Sequence, residues 1–212
     1  MFKNNFPNKI SIFPLSNAVF FPKTMLPLNI FEDRYIQLVK DCMKEEKMFG
    51  MVQPKYDLKN SKKPEVYKVG CLGKIVSFNE TPDKRFIITL SGIIRFKIKE
   101  ELENKKLYRK FNVDYSDFLD DLKNKNLKTD SENNIFKKIK IFFEKANYPV
   151  EYNELIKLDF EQLINTVCMI SPFSIKEKQR LIECVGINDK LKVLDEIIST
   201  NIFDLEEHKT IQ

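Results

Sequence analysis

Ile94-Arg95-Phe96-Lys97-Ile98-Lys99 alternates apolar and cationic side chains residue by residue. A period of two belongs to a β-strand, and it predicts a half-buried strand with Arg95, Lys97 and Lys99 on one solvated face. Just upstream, Ile75-Val76-Ser77-Phe78 and Arg85-Phe86-Ile87-Ile88-Thr89-Leu90 flank the turn formers Asn79-Glu80-Thr81-Pro82-Asp83-Lys84, so a hairpin is expected there. Ser91-Gly92 marks a second turn or bulge, and Gly70 and Gly73 are read the same way. Further short apolar stretches, Ile10-Ser11-Ile12-Phe13 and Phe49-Gly50-Met51-Val52, carry the strand pattern over residues 8–118. Many short strands predict a compact, partly closed antiparallel barrel, because closure removes exposed edges.

One helix interrupts the strands. Between Glu32 and Glu46 the apolar residues Tyr35, Leu38, Val39 and Cys42 fall at helical spacing, while Lys40, Asp41, Lys44 and Glu45 face water. Pro14, Pro22 and Pro27 read as residues that end or bend strands at a sheet edge. Residues 119–130 are polar and lysine-rich and serve as a connection, with Asp120 and Asp121 expected in solvent. Beyond it the pattern is helical. Ile135, Ile139, Phe142, Phe143 and Ala146 form one stripe ending before Pro149, and Leu163, Ile164, Val167 and Cys168 form another ending before Pro172. Ser174-Ile175-Lys176-Glu177 spells a capping box, whose helix should stop at Gly186, and Asn188 is expected to cap a last helix with the stripe Leu191, Leu194, Ile198, Ile202 and Leu205. The expected organisation is a β subdomain over 1–118, a connection over 119–130 and a helical subdomain over 131–212.

At 212 residues and 42% hydrophobic composition, the chain is long enough to bury a substantial core. No apolar run approaches the ~20 residues of a membrane span, and Met1 to Pro7 lacks the apolar centre of a signal peptide, so a cytoplasmic protein without a membrane partner is expected. Cys42, Cys71, Cys168 and Cys184 lie far apart and read as reduced, buried small side chains. Up to residue 130 there are 25 Lys and Arg against 17 acids, and after it 11 against 14, so the two parts meet different electrostatic demands.

Catalytic patterns are missing. The single histidine, His208, sits in a charged C-terminal stretch, which excludes histidine-dependent triads and multi-histidine metal sites. Five glycines without a Gly-x-x-x-x-Gly-Lys-Ser/Thr run leave no phosphate cradle. Adjacent acids such as Glu206 and Glu207 stand in polar stretches, where nothing would split their pKa values. No serine is singled out beside a desolvated lysine. The expectation is a binding protein with no cofactor and no metal.

Ile12-Phe13-Pro14-Leu15, Phe20-Phe21-Pro22, Leu26-Pro27-Leu28 and Ile30-Phe31-Glu32 followed by Arg34-Tyr35 resemble, in order, the opening of Lon protease N-terminal substrate-binding domains. Val69-Gly70-Cys71-Leu72-Gly73-Lys74-Ile75 is similar to that family's Val-Gly-x-x-Gly-x-Ile, and Gly92-Ile93-Ile94-Arg95-Phe96 to its Gly-x-x-Arg-Phe. The resemblance is strongest over residues 10–115. It implies a PUA-like antiparallel β-barrel with one packed helix followed by a C-terminal helical bundle, an α+β fold. It also implies a stand-alone recognition module without the ATPase and Ser-Lys protease domains of a complete Lon protease. Lys23 and Lys84 stand at turns where the family's pattern has glycine.

Two functions of different class follow. The first is recognition of exposed hydrophobic segments of unfolded or damaged proteins, as an adaptor or holdase or with a protease partner in trans. Its contact surface is expected at Phe20, Phe21, Pro22 and Lys23 with Met25 and Leu26, unless both phenylalanines point into the core. The second is a nucleic-acid-binding PUA-like module, suggested by the basic first part and by Lys55, Lys59, Lys62, Lys63 and Lys68. A structural subunit of a larger complex is a third reading.

Overall fold

The computed structural model describes residues 6–16, 18–55, 63–123 and 130–210, with the backbone alone at 130–133 and 207–210. Lys59, Lys62, the His208 side chain and residues 124–129 of the connection lie outside the described residues. The chain forms two compact units, Met1–Leu122 and Lys123–Gln212.

Among its described residues the first unit holds six strands, β1 (Lys9–Pro14), β2 (Met25–Ile30), β3 (Met48–Val52), β4 (Val69–Glu80), β5 (Phe86–Leu102) and β6 (Arg109–Asp114), and one α-helix, α1 (Asp33–Met43). The antiparallel barrel expected from the sequence is not what forms. The strands make one mixed six-stranded sheet ordered β2-β5-β4-β3-β1-β6, with β5 pairing β6 in addition. β1 and β3 run parallel, with Ile12 opposite Gly50 and Pro14 opposite Val52. The reason is the helix: a parallel neighbour requires a crossover, and α1 carries the chain back so that β3 starts from the same end as β1. β2, which precedes the helix, goes to the outside of β5 and keeps an edge that closure would have removed.

Packing of α1 follows its sequence stripe, since Tyr35, Leu38, Val39 and Cys42 are its buried residues. Phe13 of β1 stacks on Tyr35 at 3.9 Å between ring centroids and lies 6.2 Å from Phe49 of β3, which joins helix and sheet through aromatic contacts. Gly70 has no room for a side chain: a Cβ there would stand 2.4 Å from the Met51 carbonyl oxygen.

The alternation of β5 fails at one position, and the failure is structural. Lys97 and Lys99 are exposed, but Arg95 is 2% exposed and Asp121, also expected in solvent, is buried. A 3₁₀ segment at Ser116–Leu122, kinked at Phe118, covers that part of the strand. The Arg95 side chain donates to Asp121 from Nη2 at 2.7 Å and from Nε at 3.0 Å, its backbone N–H donates to the same carboxylate at 3.0 Å, and its guanidinium lies 4.4 Å from the Phe118 ring centroid. A buried charge is tolerable only when paired and hydrogen-bonded in this way.

The two turns where the sequence has lysine in place of glycine keep the left-handed backbone. Lys23 has φ 59° and Lys84 φ 64°. At the hairpin, Lys84 N–H donates to Thr81 O at 2.9 Å and Arg85 N–H to Thr81 Oγ1 at 3.1 Å, which closes the turn around that strained residue. Lys84→Gly is expected to raise unfolding free energy by about 0.5–1 kcal/mol, the left-handed penalty less glycine's extra unfolded-state entropy. Urea titration of the two proteins measures it.

The second unit is helical: α2 (Asp130–Lys145), α3 (Tyr152–Leu155), α4 (Phe160–Ile170), α5 (Ile175–Glu183) and α6 (Ile187–Thr210). α2 ends in a left-handed Asn147 at φ 49°, with Tyr148 N–H donating to Phe143 O at 3.0 Å, a Schellman-type stop just before Pro149. Ser174 and Glu177 form the capping box spelled by the sequence: Glu177 N–H donates to Ser174 Oγ and Ser174 N–H to Glu177 Oε2. α6 begins one residue before Asn188, so Asn188 is inside the helix and not its cap. Lys178, buried, donates to the Met169 carbonyl at 2.7 Å and so satisfies an orphan acceptor at the end of α4. No helix among the described residues is long and apolar enough to cross a membrane.

Candidate binding surface

The residues named from sequence as a contact surface separate into two groups. Phe20, Phe21 and Pro22 are buried, Lys23 and Leu26 are half-buried, and Met25 is 53% exposed. The turn holding the phenylalanines is fixed to β5. Lys23 N–H donates to Gly92 O and Gly92 N–H to Thr24 O, each at 2.9 Å, while Thr24 Oγ1 donates to Phe21 O at 2.7 Å. A Cβ on Gly92 would lie 2.2 Å from Phe21 O, so only glycine permits this approach. The burial matches the alternative in which both phenylalanines belong to the core.

Met25 opens β2, and β2 has a free side: among the described residues it pairs only with β5. Thr24 O accepts from β5, so parity along the strand turns the backbone groups of Met25, Pro27 and Asn29 toward the open edge. Pro27 suits that placement because it has no N–H to offer a ladder. Across the sheet Met25 lies opposite Ser91, Pro27 opposite Thr89 and Asn29 opposite Ile87, so these side chains share the face that the β5 alternation leaves outside. Ile87 is 47% exposed, and Phe31, directly after β2, is 65% exposed. Val76 is exposed beside an irregularity between Ile75 and Ser77 in the β4–β5 pairing. Sequence reasoning missed Phe31 and Ile87 because exposed and buried apolar residues look alike in a strand pattern; β2's place in the sheet order reveals them.

What this arrangement can do chemically is bind. An open strand edge offers main-chain donors and acceptors to another extended chain, and the apolar side chains beside it give that chain somewhere to bury its own. Some cations of this unit lie beside acids: Lys97 is 3.7 Å from Asp117, Lys99 3.0 Å from Asp114 and Lys106 2.9 Å from Asp41. Among the described residues no group of three or more His, Cys, Asp or Glu is placed to hold a metal ion.

Comparison with solved structures gives the same fold. The crystal structure of a Lon N-terminal domain protein from Xanthomonas campestris superposes with a TM-score of 0.63 at 18% identity, covering 90% of this chain and 97% of that one. The N-terminal domain of the Mycobacterium avium complex Lon protease gives 0.62 at 14% identity, covering 90% and 98%. Among curated proteins, Lon protease 2 of Myxococcus xanthus is 24% identical over 202 residues, which are 93% of this chain and 24% of that protein. Lon protease of Flavobacterium johnsoniae is 26% identical over 220 residues, 96% of this chain and 27% of that protein. The chain thus spans about a quarter of the length of these relatives. The family model that matches residues 9–200 describes a substrate-binding domain, a non-catalytic region. The match takes in both units, and the chain belongs to the ATP-dependent protease La (LON) substrate-binding domain family.

Proposed function

We propose that this chain binds exposed apolar segments of unfolded or damaged polypeptides in the cytoplasm, holding them for a protease supplied in trans. The observation that carries this reading is the free edge of β2 with Met25, Phe31 and Ile87 exposed around it, in a member of a substrate-binding family. An unfolded chain is a source of extended backbone and uncovered apolar side chains, and addition at a strand edge uses both. The nucleic-acid reading has less support, because Lys97, Lys99 and Lys106 of the basic first unit lie beside acids, which lowers the positive charge a phosphate backbone would meet there.

Fluorescence anisotropy of a labelled, permanently unfolded protein and of a labelled single-stranded RNA, each at two salt concentrations, tests the reading. Salt-tolerant binding of the unfolded chain is expected. Met25→Ser combined with Ile87→Ser should weaken that binding about tenfold, since the two exposed side chains contribute on the order of 1–2 kcal/mol of apolar contact. RNA binding that falls steeply with salt, with no binding of the unfolded chain, would refute it.

A further inference from the structure

Among the described strands, β2 alone has a single partner. β1, β3, β4 and β6 each pair with two others, and β6, at the far end of the sheet order, is taken up by β5 over residues 97–102. An exposed strand edge is a template for a second copy of itself, and proteins blunt such edges with charged side chains, bulges or proline. β2 reads Met-Leu-Pro-Leu-Asn-Ile, without a charge, and pairs β5 at six consecutive positions without a bulge. Of those blunting features only Pro27 is present.

Pro27 stands at the centre of the edge. Met25, Pro27 and Asn29 turn their backbone groups to the open side, and all three residues are exposed. In an antiparallel pair, residues that face each other in this way exchange both N–H···O bonds. Pro27 accepts such a bond and cannot donate one, and its ring occupies the place of the missing N–H, against the facing carbonyl.

Two copies meeting about a two-fold axis would pair this edge with itself. With Met25 of one copy opposite Asn29 of the other, Pro27 faces Pro27. Every shifted antiparallel register that keeps more than one facing pair also engages both prolines, each against a neighbouring edge residue. Neither copy can bend out of the clash, because β2 is held to β5 along its whole length. An unfolded polypeptide differs on both counts. It need bring no proline to that place, and a loose chain can bulge over Pro27 or turn one carbonyl to water while keeping its bonds to Met25, Asn29 and the Pro27 carbonyl.

We propose that Pro27 sorts the partners of this edge, barring a second copy of the chain and leaving β2 open to a flexible polypeptide. The proposal rests on the polypeptide-binding reading above and names the residue that keeps that surface available.

The test compares the whole chain with Pro27→Ala. Sedimentation velocity over a concentration series should show the variant associating at concentrations about tenfold below those the parent needs, the worth of one or two hydrogen bonds. Adding Met25→Lys and Asn29→Lys to that variant should reverse the gain, because antiparallel pairing of two edges sets these lysines opposite one another. Met25, Pro27 and Asn29 are all exposed, so the variants keep the fold, and urea midpoints verify it. Anisotropy of the labelled, permanently unfolded protein, read with Pro27→Ala diluted below its association range, should show an affinity within about threefold of the parent's. A Pro27→Ala variant that associates no more readily than the parent overturns the proposal. So does association that survives the two lysines, or a gain for the unfolded protein as large as the gain in association. If the parent binds no unfolded protein, the polypeptide-binding reading falls, and sedimentation still decides what Pro27 does to the edge.

Discussion

Asp121→Ala should lower the unfolding free energy by about 3–5 kcal/mol, the cost of leaving a buried charge without its partner. Three donors of Arg95, two from the guanidinium and one from the backbone, lose their acceptor together, and with both side chains only 3% exposed, water cannot replace it without opening the 3₁₀ segment. The pair itself adds little beyond what well-packed apolar residues would give. Arg95→Met with Asp121→Leu should therefore recover most of the loss. Urea denaturation of the three variants measures this. A single-variant cost under about 1 kcal/mol would mean that Arg95 reaches solvent.

Phe21→Ala should cost about 3–5 kcal/mol, whereas Met25→Ser, four residues on, should stay within about 0.5 kcal/mol of the parent. Phe21 is 0% exposed and its carbonyl is tied to Thr24, so truncation opens a cavity in a fixed turn. Met25 already stands in water. The pair of variants separates core from surface within one short stretch. If Phe21→Ala kept its stability and lost binding of an unfolded protein, the phenylalanine would be a contact residue and the packing described here would be wrong.

Local periodicity predicted local structure well. The stripe of Tyr35, Leu38, Val39 and Cys42 became the buried face of α1, and Ser174 with Glu177 became a capping box, because each pattern is decided within a few residues of chain. The parallel pairing of β1 with β3 was not legible from such patterns. It follows from the helix between them, and the sequence contained that helix, but a strand's neighbours depend on the path of the whole chain. Arg95 misled for a related reason: alternation tells which side chains share a face and is silent on what covers it, and the cover is Phe118 and Asp121, more than twenty residues away.

The candidate surface was partly legible. Met25 and Leu26 were reached through an aromatic-proline turn whose phenylalanines serve the core. Phe31 and Ile87 needed the structure, since strand alternation does not tell which face of the sheet stays uncovered. Lys23 and Lys84 show the converse: the backbone keeps a left-handed turn even where glycine is absent, because the surrounding hydrogen bonds demand it.

Hydrogen exchange of the whole chain, free and with a bound permanently unfolded protein, tests the central claim most directly. Slowed exchange is predicted at the edge-facing amides of Met25 and Asn29, with the Phe31 segment also protected, because an added strand would pair with that edge. Binding that leaves β2 exchange unchanged and protects only other segments would contradict the assignment of the surface.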